Sequence, residues 1–132
     1  MARKKSTTLT EAELRLMDVL WKKGEATVGE IADALPARLG LAYNTVLTTM
    51  RILEEKGYVR HSKPKQGRAF VYRPKVGREE ATRSAVQDLL RRFFGQSHEA
   101  LVLNILQDEK LDEQERQRIR ELLDQFNQEE LS

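Results

Sequence analysis

Val46, Met50 and Leu53 recur at the spacing of one helical face, and a rotation of about 100° per residue turns Asn44, Thr48 and Arg51 to the opposite side. The pattern predicts a helix beginning near Ala42 that buries one face and presents a small, polar and basic one. Glu54 and Glu55 arrive only at its C-terminal end, and Gly57 supplies a left-handed stop. Two β-rich runs follow, Tyr58 to Lys63 and Arg68 to Arg73, around Pro64-Lys65-Gln66-Gly67, where Gly67 serves the turn. A helix leading directly into a hairpin is therefore predicted over residues 42–74.

Upstream, Thr10-x-x-Glu13 is a capping box ahead of Leu14, Leu16, Met17, Leu20 and Trp21, and Gly24 follows the Lys22-Lys23 end of that helix. Trp21 is expected as a core anchor. A second capping box, Thr27-x-x-Glu30, opens a short helix with Ile31 and Leu35 before Pro36 stops it. Gly40, in the link from Ala37 to Leu41, lets the second and third helices meet at the steep angle of a helix-turn-helix. Three helices and a hairpin make a winged helix, expected over residues 9–76 behind a polar, basic arm at residues 1–8.

Beyond Arg78 the apolar pattern changes. Ala81, Ala85 and Leu89, with Val86, Leu90, Phe93 and Phe94, form a wide stripe on a long helix ending at Gly95, and Ser97 caps the next. Between Glu99 and Gln107 the apolar residues point almost all round, which requires cover on most sides. Asp112-x-x-Glu115 opens a final helix whose Ile119, Leu122, Leu123 and Phe126 share one face. These segments predict a helical dimerisation domain over residues 77–132, since closed two-fold dimers are the commonest oligomers. The expected interface holds Leu89, Phe93, Leu101, Leu103, Ile105, Leu106, Leu122, Leu123 and Phe126. The alternative is that these helices fold back and complete a monomeric core. The expected fold class is mainly α with a small β-hairpin wing.

Charge sharpens this picture. The formal net charge is only +2, yet residues 1–80 carry 16 Lys/Arg against 10 Asp/Glu, and residues 81–132 carry 7 against 11. The basic part suits a polyanion. Arg60, Lys63, Lys65, Arg68, Arg73 and Lys75 concentrate at the hairpin, with no acid between Arg60 and Lys75. A Lys-rich hairpin can also be a solubilising edge. Beside a helix face of Asn, Thr and Arg, which can approach bases and phosphates without burying an unpaired acid, nucleic acid is the stronger reading. The expected contacts with double-stranded DNA are Tyr43, Asn44, Thr45, Thr48 and Arg51 on the helix, and Lys63, Lys65 and Arg68 on the wing.

Other classes find less support. The absence of cysteine excludes disulfides, thiolate metal sites and cysteine nucleophiles. No Gly-rich phosphate loop, His-Glu-x-x-His or nucleophile elbow occurs, and His61 and His98 lie in different segments, so no enzyme, cofactor or metal is expected. Asp108, Glu109, Asp112, Glu113 and Glu115 flank a helix start, where acids favour the macrodipole. Aromatic residues make up only 6% of the chain, so RNA ranks below DNA, and Phe70 and Tyr72 can pack the wing as readily as stack on bases. No apolar run approaches the roughly 20 residues of a membrane span and no secretory signal opens the chain, so membrane insertion is not expected and a cytoplasmic address is. A winged-helix module that binds an acidic protein rather than DNA is the main alternative function.

Leu9-Thr10-Glu11-Ala12-Glu13, Val19-Leu20-Trp21, Ala42-Tyr43-x-Thr45-Val46-x-Thr48, Lys56-Gly57-Tyr58-Val59 and Leu101-Val102-Leu103-Asn104 form an ordered string that resembles the penicillinase-repressor family of bacterial transcription regulators over roughly residues 9–126. The resemblance implies a repressor whose winged helix binds a two-fold symmetric operator and whose C-terminal helices dimerise. It also implies release by a membrane sensor protease that cuts within those helices, with Asn104-Ile105 as the matching bond. Ile105 stands where relatives regulated in that way have Phe. Ala42, Leu47 and Ile52 replace a capping Ser and two Arg positions, and the C-terminal cysteines of copper-responsive relatives have no counterpart.

Overall fold

Thr10 begins the first helix, α1 (Glu11–Lys23), by a reciprocal exchange. Its hydroxyl accepts the Glu13 N–H at 3.1 Å, and the Glu13 carboxylate accepts the Thr10 N–H at 2.8 Å. The structure, a computed structural model, describes residues 8–63 and 69–131. The second helix, α2 (Val28–Ala34), starts in the same way through Thr27 and Glu30. Hydrogen bonds from the Thr27 backbone and then its hydroxyl hold the Glu30 carboxyl below the usual range. Leu35 is extended, as the residue before a proline prefers, and the helix ends there.

A single 3₁₀ turn, Ala37–Leu39, and Gly40 at φ 59° lead into α3 (Tyr43–Glu55). This turn was not anticipated, because three residues carry no periodicity. Gly57, at φ 89°, reverses the chain into β1 (Val59–Ser62), which pairs antiparallel with β2 (Val71–Pro74). The register sets Arg60 opposite Arg73 and His61 opposite Tyr72. Both strands are shorter than the β-rich runs that predict them. The Pro64–Gly67 turn, together with Lys65, Arg68 and the arm through residue 7, lies outside the described residues. Three further helices complete the chain: α4 (Arg78–Phe93), α5 (His98–Leu106) and α6 (Glu113–Leu131). Ser97 caps α5 through a 3.0 Å bond to the Ala100 N–H, and Asp112 accepts the Glu115 N–H at 2.8 Å ahead of α6.

The chain divides into two compact units, residues 1–88 and 89–132. In the first, Leu16, Met17 and Leu20 of α1 meet Ile31 of α2, Val46, Met50 and Leu53 of α3, and Val59 and Tyr72 of the hairpin. Each side chain of this size withdrawn from water contributes about 1.5–3 kcal/mol. Tyr72 is bound on both flanks, by His61 across the hairpin and by Ala26 through two backbone bonds of 2.8 and 3.0 Å. The unit runs past residue 76, where the sequence placed its end. Ala81 joins the core, the Trp21 indole N–H donates to the Val76 carbonyl at 2.9 Å, and the Arg78 guanidinium lies 4.7 Å from the Trp21 ring centre while meeting Asp18 at 2.8 Å. Trp21 is thus half-buried and holds the start of α4 through its polar edge and its ring face.

In the second unit Leu90 is buried, but α5 contributes no buried residue. Val102, Leu103, Ile105, Leu122, Leu123 and Phe126 are exposed within this chain. The cover that the all-round apolar pattern of α5 demands is not supplied by its own unit.

One ion pair in the first unit is well shielded. Lys56, at the end of α3, donates to Glu13 Oε1 at 2.8 Å and to the Thr8 carbonyl at 3.2 Å, with the Glu13 and Lys56 side chains only 6% and 14% exposed. Glu13→Gln keeps a capping acceptor but leaves the ammonium without its counter-charge. It should cost about 3 kcal/mol in urea unfolding, with an unchanged denaturant slope. Glu30→Gln, at the solvated capping box, should cost far less.

Candidate nucleic-acid interface

The burial of Val46, Met50 and Leu53 decides what α3 presents outward. Tyr43, Asn44, Thr45, Thr48 and Arg51 are all exposed on this helix, as the sequence predicts. Thr49 differs, because its hydroxyl turns back to the Thr45 carbonyl at 2.8 Å and is spent within the helix. Ala42, the N-cap, provides no side-chain hydrogen bond, so the first-turn amides of α3 are left for water or an anion. Ile52 is also exposed and Leu47 half-buried, which sets apolar area at the margin of the polar face.

The hairpin adds charge beside this helix. Lys63 is exposed just beyond β1, and Arg60 within β1 and Lys75 after β2 are exposed too. Arg73 is partly neutralised by Glu25 at 3.2 Å, which also relieves the repulsion between Arg60 and Arg73 opposite each other in the register. Lys65 and Arg68 lie outside the described residues, so of the expected wing contacts Lys63 alone has a place in the structure.

His61 acquires a partner that the sequence did not reveal. Its Nδ1 lies 2.8 Å from both carboxylate oxygens of Glu54, and its ring centre is 4.8 Å from Phe70 and 5.6 Å from Tyr72. Strand alternation carries the missed signal: His61 shares a face with buried Val59, which packs into the core with α3. Leu47, Arg51, Glu54 and Glu55 of α3 line one open hollow with His61, Phe70 and Tyr72. Burial first, then the Glu54 carboxylate, push the Tyr72 hydroxyl above the usual phenol range, with Arg51 opposing.

The expected interface residues of the C-terminal part all fall in the second unit. Leu89, Phe93, Leu103, Ile105, Leu122, Leu123 and Phe126 are exposed, most of all Phe93 at 69% and Phe126 at 65%, while Leu101 and Leu106 are half-buried. Asn104 and Ile105 both lie within α5 and are exposed. Among the described residues no cluster of His, Asp and Glu could hold a metal ion, and no helix is long and apolar enough to cross a membrane.

Three helices around one core, with a polar helix face beside a basic hairpin, define a winged-helix fold of the DNA-binding class. The profile of the penicillinase repressor family matches residues 9–125, and the chain belongs to that family. It is 28% identical over 122 residues to the penicillinase repressor of Bacillus licheniformis, covering 92% of this chain and 94% of that one. It is 38% identical over 87 residues to the transcriptional regulator BlaI of Mycobacterium tuberculosis, covering 65% and 62% of the two chains. The solution structure of the DNA-binding domain of the repressor BlaI is 31% identical and covers 59% of this chain and 93% of its own, with a TM-score of 0.49.

Because the folded state holds the Tyr72 proton more tightly than the unfolded chain, the associated stability is complete below the ordinary phenol pKa of about 10 and declines as pH rises beyond it. Tyr72→Phe should flatten that alkaline decline in a series of urea midpoints. A decline equally steep in the variant would reject this assignment.

Proposed function

We propose that this member of the penicillinase repressor family is a transcriptional repressor that binds a two-fold symmetric DNA operator as a homodimer. The observation that carries the reading is the exposed Asn44, Thr45, Thr48 and Arg51 face of α3 set in one unit with a basic hairpin. In this reading α3 enters the major groove, where Thr45 and Thr48 approach base edges and Arg51 reaches a base or a phosphate. Tyr43 and Asn44 meet the backbone at the helix start, and Lys63, Lys65 and Arg68 contact phosphates from the wing. No enzymatic step is needed for this role, and a cytoplasmic address suits it.

Dimerisation is the role of the second unit. An apolar α5 without one buried residue and an α6 with exposed Leu122, Leu123 and Phe126 support a partner that covers both. Two modest DNA binders joined in this way gain affinity through effective concentration, and cutting the link forfeits it. A membrane sensor protease acting at Asn104-Ile105 would relieve repression by that route. The bond sits inside α5, so cleavage requires the helix to open locally. A winged-helix module that binds only protein is the competing reading.

Arg51→Ala should weaken binding to an operator selected from random duplexes by about 1–3 kcal/mol, confined to particular bases if Arg51 reads a base and uniform if it holds a phosphate. Lys63→Ala should lower the salt slope by about 0.9 if Lys63 holds one phosphate. Unchanged affinity in both Arg51→Ala and Thr48→Ala, measured by gel shift on folded protein, would reject α3 as the reading helix. Leu103→Asp should give a folded monomer in sedimentation and lose operator binding at working concentrations. A variant that stays dimeric and binds normally would remove α5 from the interface.

A further inference from the structure

Arg51 and Glu54 are three residues apart on α3, the spacing at which a guanidinium and a carboxylate on one helix can meet. The described ion pairs nevertheless give Glu54 to His61 and none to Arg51. An ionised carboxylate only accepts, so the His61 nitrogen facing it, Nδ1, carries a proton. The imidazole is aimed by its packing: Tyr72 stands across the register and Phe70 lies two residues before it on the neighbouring run, with ring centres at 5.6 and 4.8 Å. Tyr72 is itself held on its far side by Ala26.

We propose that His61 is a positioning residue for DNA binding: it holds the Glu54 carboxylate by a hydrogen bond, which keeps that acid from capturing Arg51. The inference rests on the reading of α3 as the DNA-facing helix. It assigns His61 no base contact. Without the Nδ1 donor, Glu54 is a solvated acid one turn from a DNA-binding arginine. Such an acid can pair with Arg51 or repel the backbone, and either effect weakens binding. The geometry of the contact, with Nδ1 at 2.8 Å from both oxygens, holds the carboxylate on the hairpin side of the helix. The titratable and charged groups that line the hollow with the imidazole are Arg51, Glu54 and Glu55 of α3 and Tyr72 of β2.

The test is a cycle on the full-length protein with a duplex selected from a random pool by the wild type. His61→Phe keeps a ring between Phe70 and Tyr72 but removes the donor, and should bind about five- to tenfold more weakly. Adding Glu54→Gln to that variant should restore affinity to within about twofold, because the acid that needed restraint is gone. His61→Asn, whose amide nitrogen is bonded to Cγ as Nδ1 is, should bind within about twofold of the wild type because it keeps a donor for Glu54. If His61→Phe does not fold, Glu54→Gln alone reads the same point through undiminished affinity, and a loss there overturns the role. Full affinity in folded His61→Phe, a loss that Glu54→Gln fails to rescue, or a loss in His61→Asn as large as that in His61→Phe would each overturn the positioning role. A wild type that selects no duplex would overturn the DNA reading and the inference with it.

Discussion

The withdrawal of Val46, Met50 and Leu53 from water is the constraint on which the first unit depends. All three lie on one side of α3 and are fully buried, so the helix cannot rotate about its axis without exposing apolar surface worth several kcal/mol. A helix locked in rotation presents the same residues outward in every molecule. That is the preorganisation a surface needs if it is to discriminate between partners, because the orientation is settled during folding and adds little ordering cost when a partner arrives.

The hairpin is held by a different kind of force. Its packing residues are few, and much of its attachment is polar: backbone bonds from Tyr72 to Ala26, the His61–Glu54 contact and the Arg73–Glu25 pair. Directional bonds define an angle where a small apolar contact would tolerate sliding. The contrast between an oil-packed helix and a bond-tethered wing gives the unit two exposed elements with distinct mechanics.

What could be read from the sequence follows the range of the interactions. Both capping boxes, the α3 stripe, the Gly57 reversal and the Ser97 cap were legible because each depends on residues within about one turn of one another. The class of fold followed from their order. The 3₁₀ turn at residues 37–39 was too short to leave a pattern. Ala81 in the first core was hidden because its own stripe continues toward Leu89, and a small side chain does not announce which neighbour it meets. Partners distant in the chain, such as Lys56 with Glu13 or Arg78 with Trp21, emerge only when the elements pack. On α3 the exposed face matched its helical phase residue by residue. On the wing, alternation places His61 on the packed side, yet only the tertiary structure supplies Glu54 to receive it.

The Glu13 carboxylate also bears on how the folded chain comes apart. One oxygen accepts both the Thr10 amide that closes the first turn of α1 and the ammonium of Lys56 at the end of α3, and Lys56 in turn holds the Thr8 carbonyl. Helix ends ordinarily fray by themselves, at little free-energy cost. Here fraying of residues 8–13 must release Lys56 as well, which merges the first turn of α1 and the last turn of α3 into one opening unit. Protease access near Thr8 thereby becomes a gauge of the integrity of α3, although the two lie more than forty residues apart in sequence.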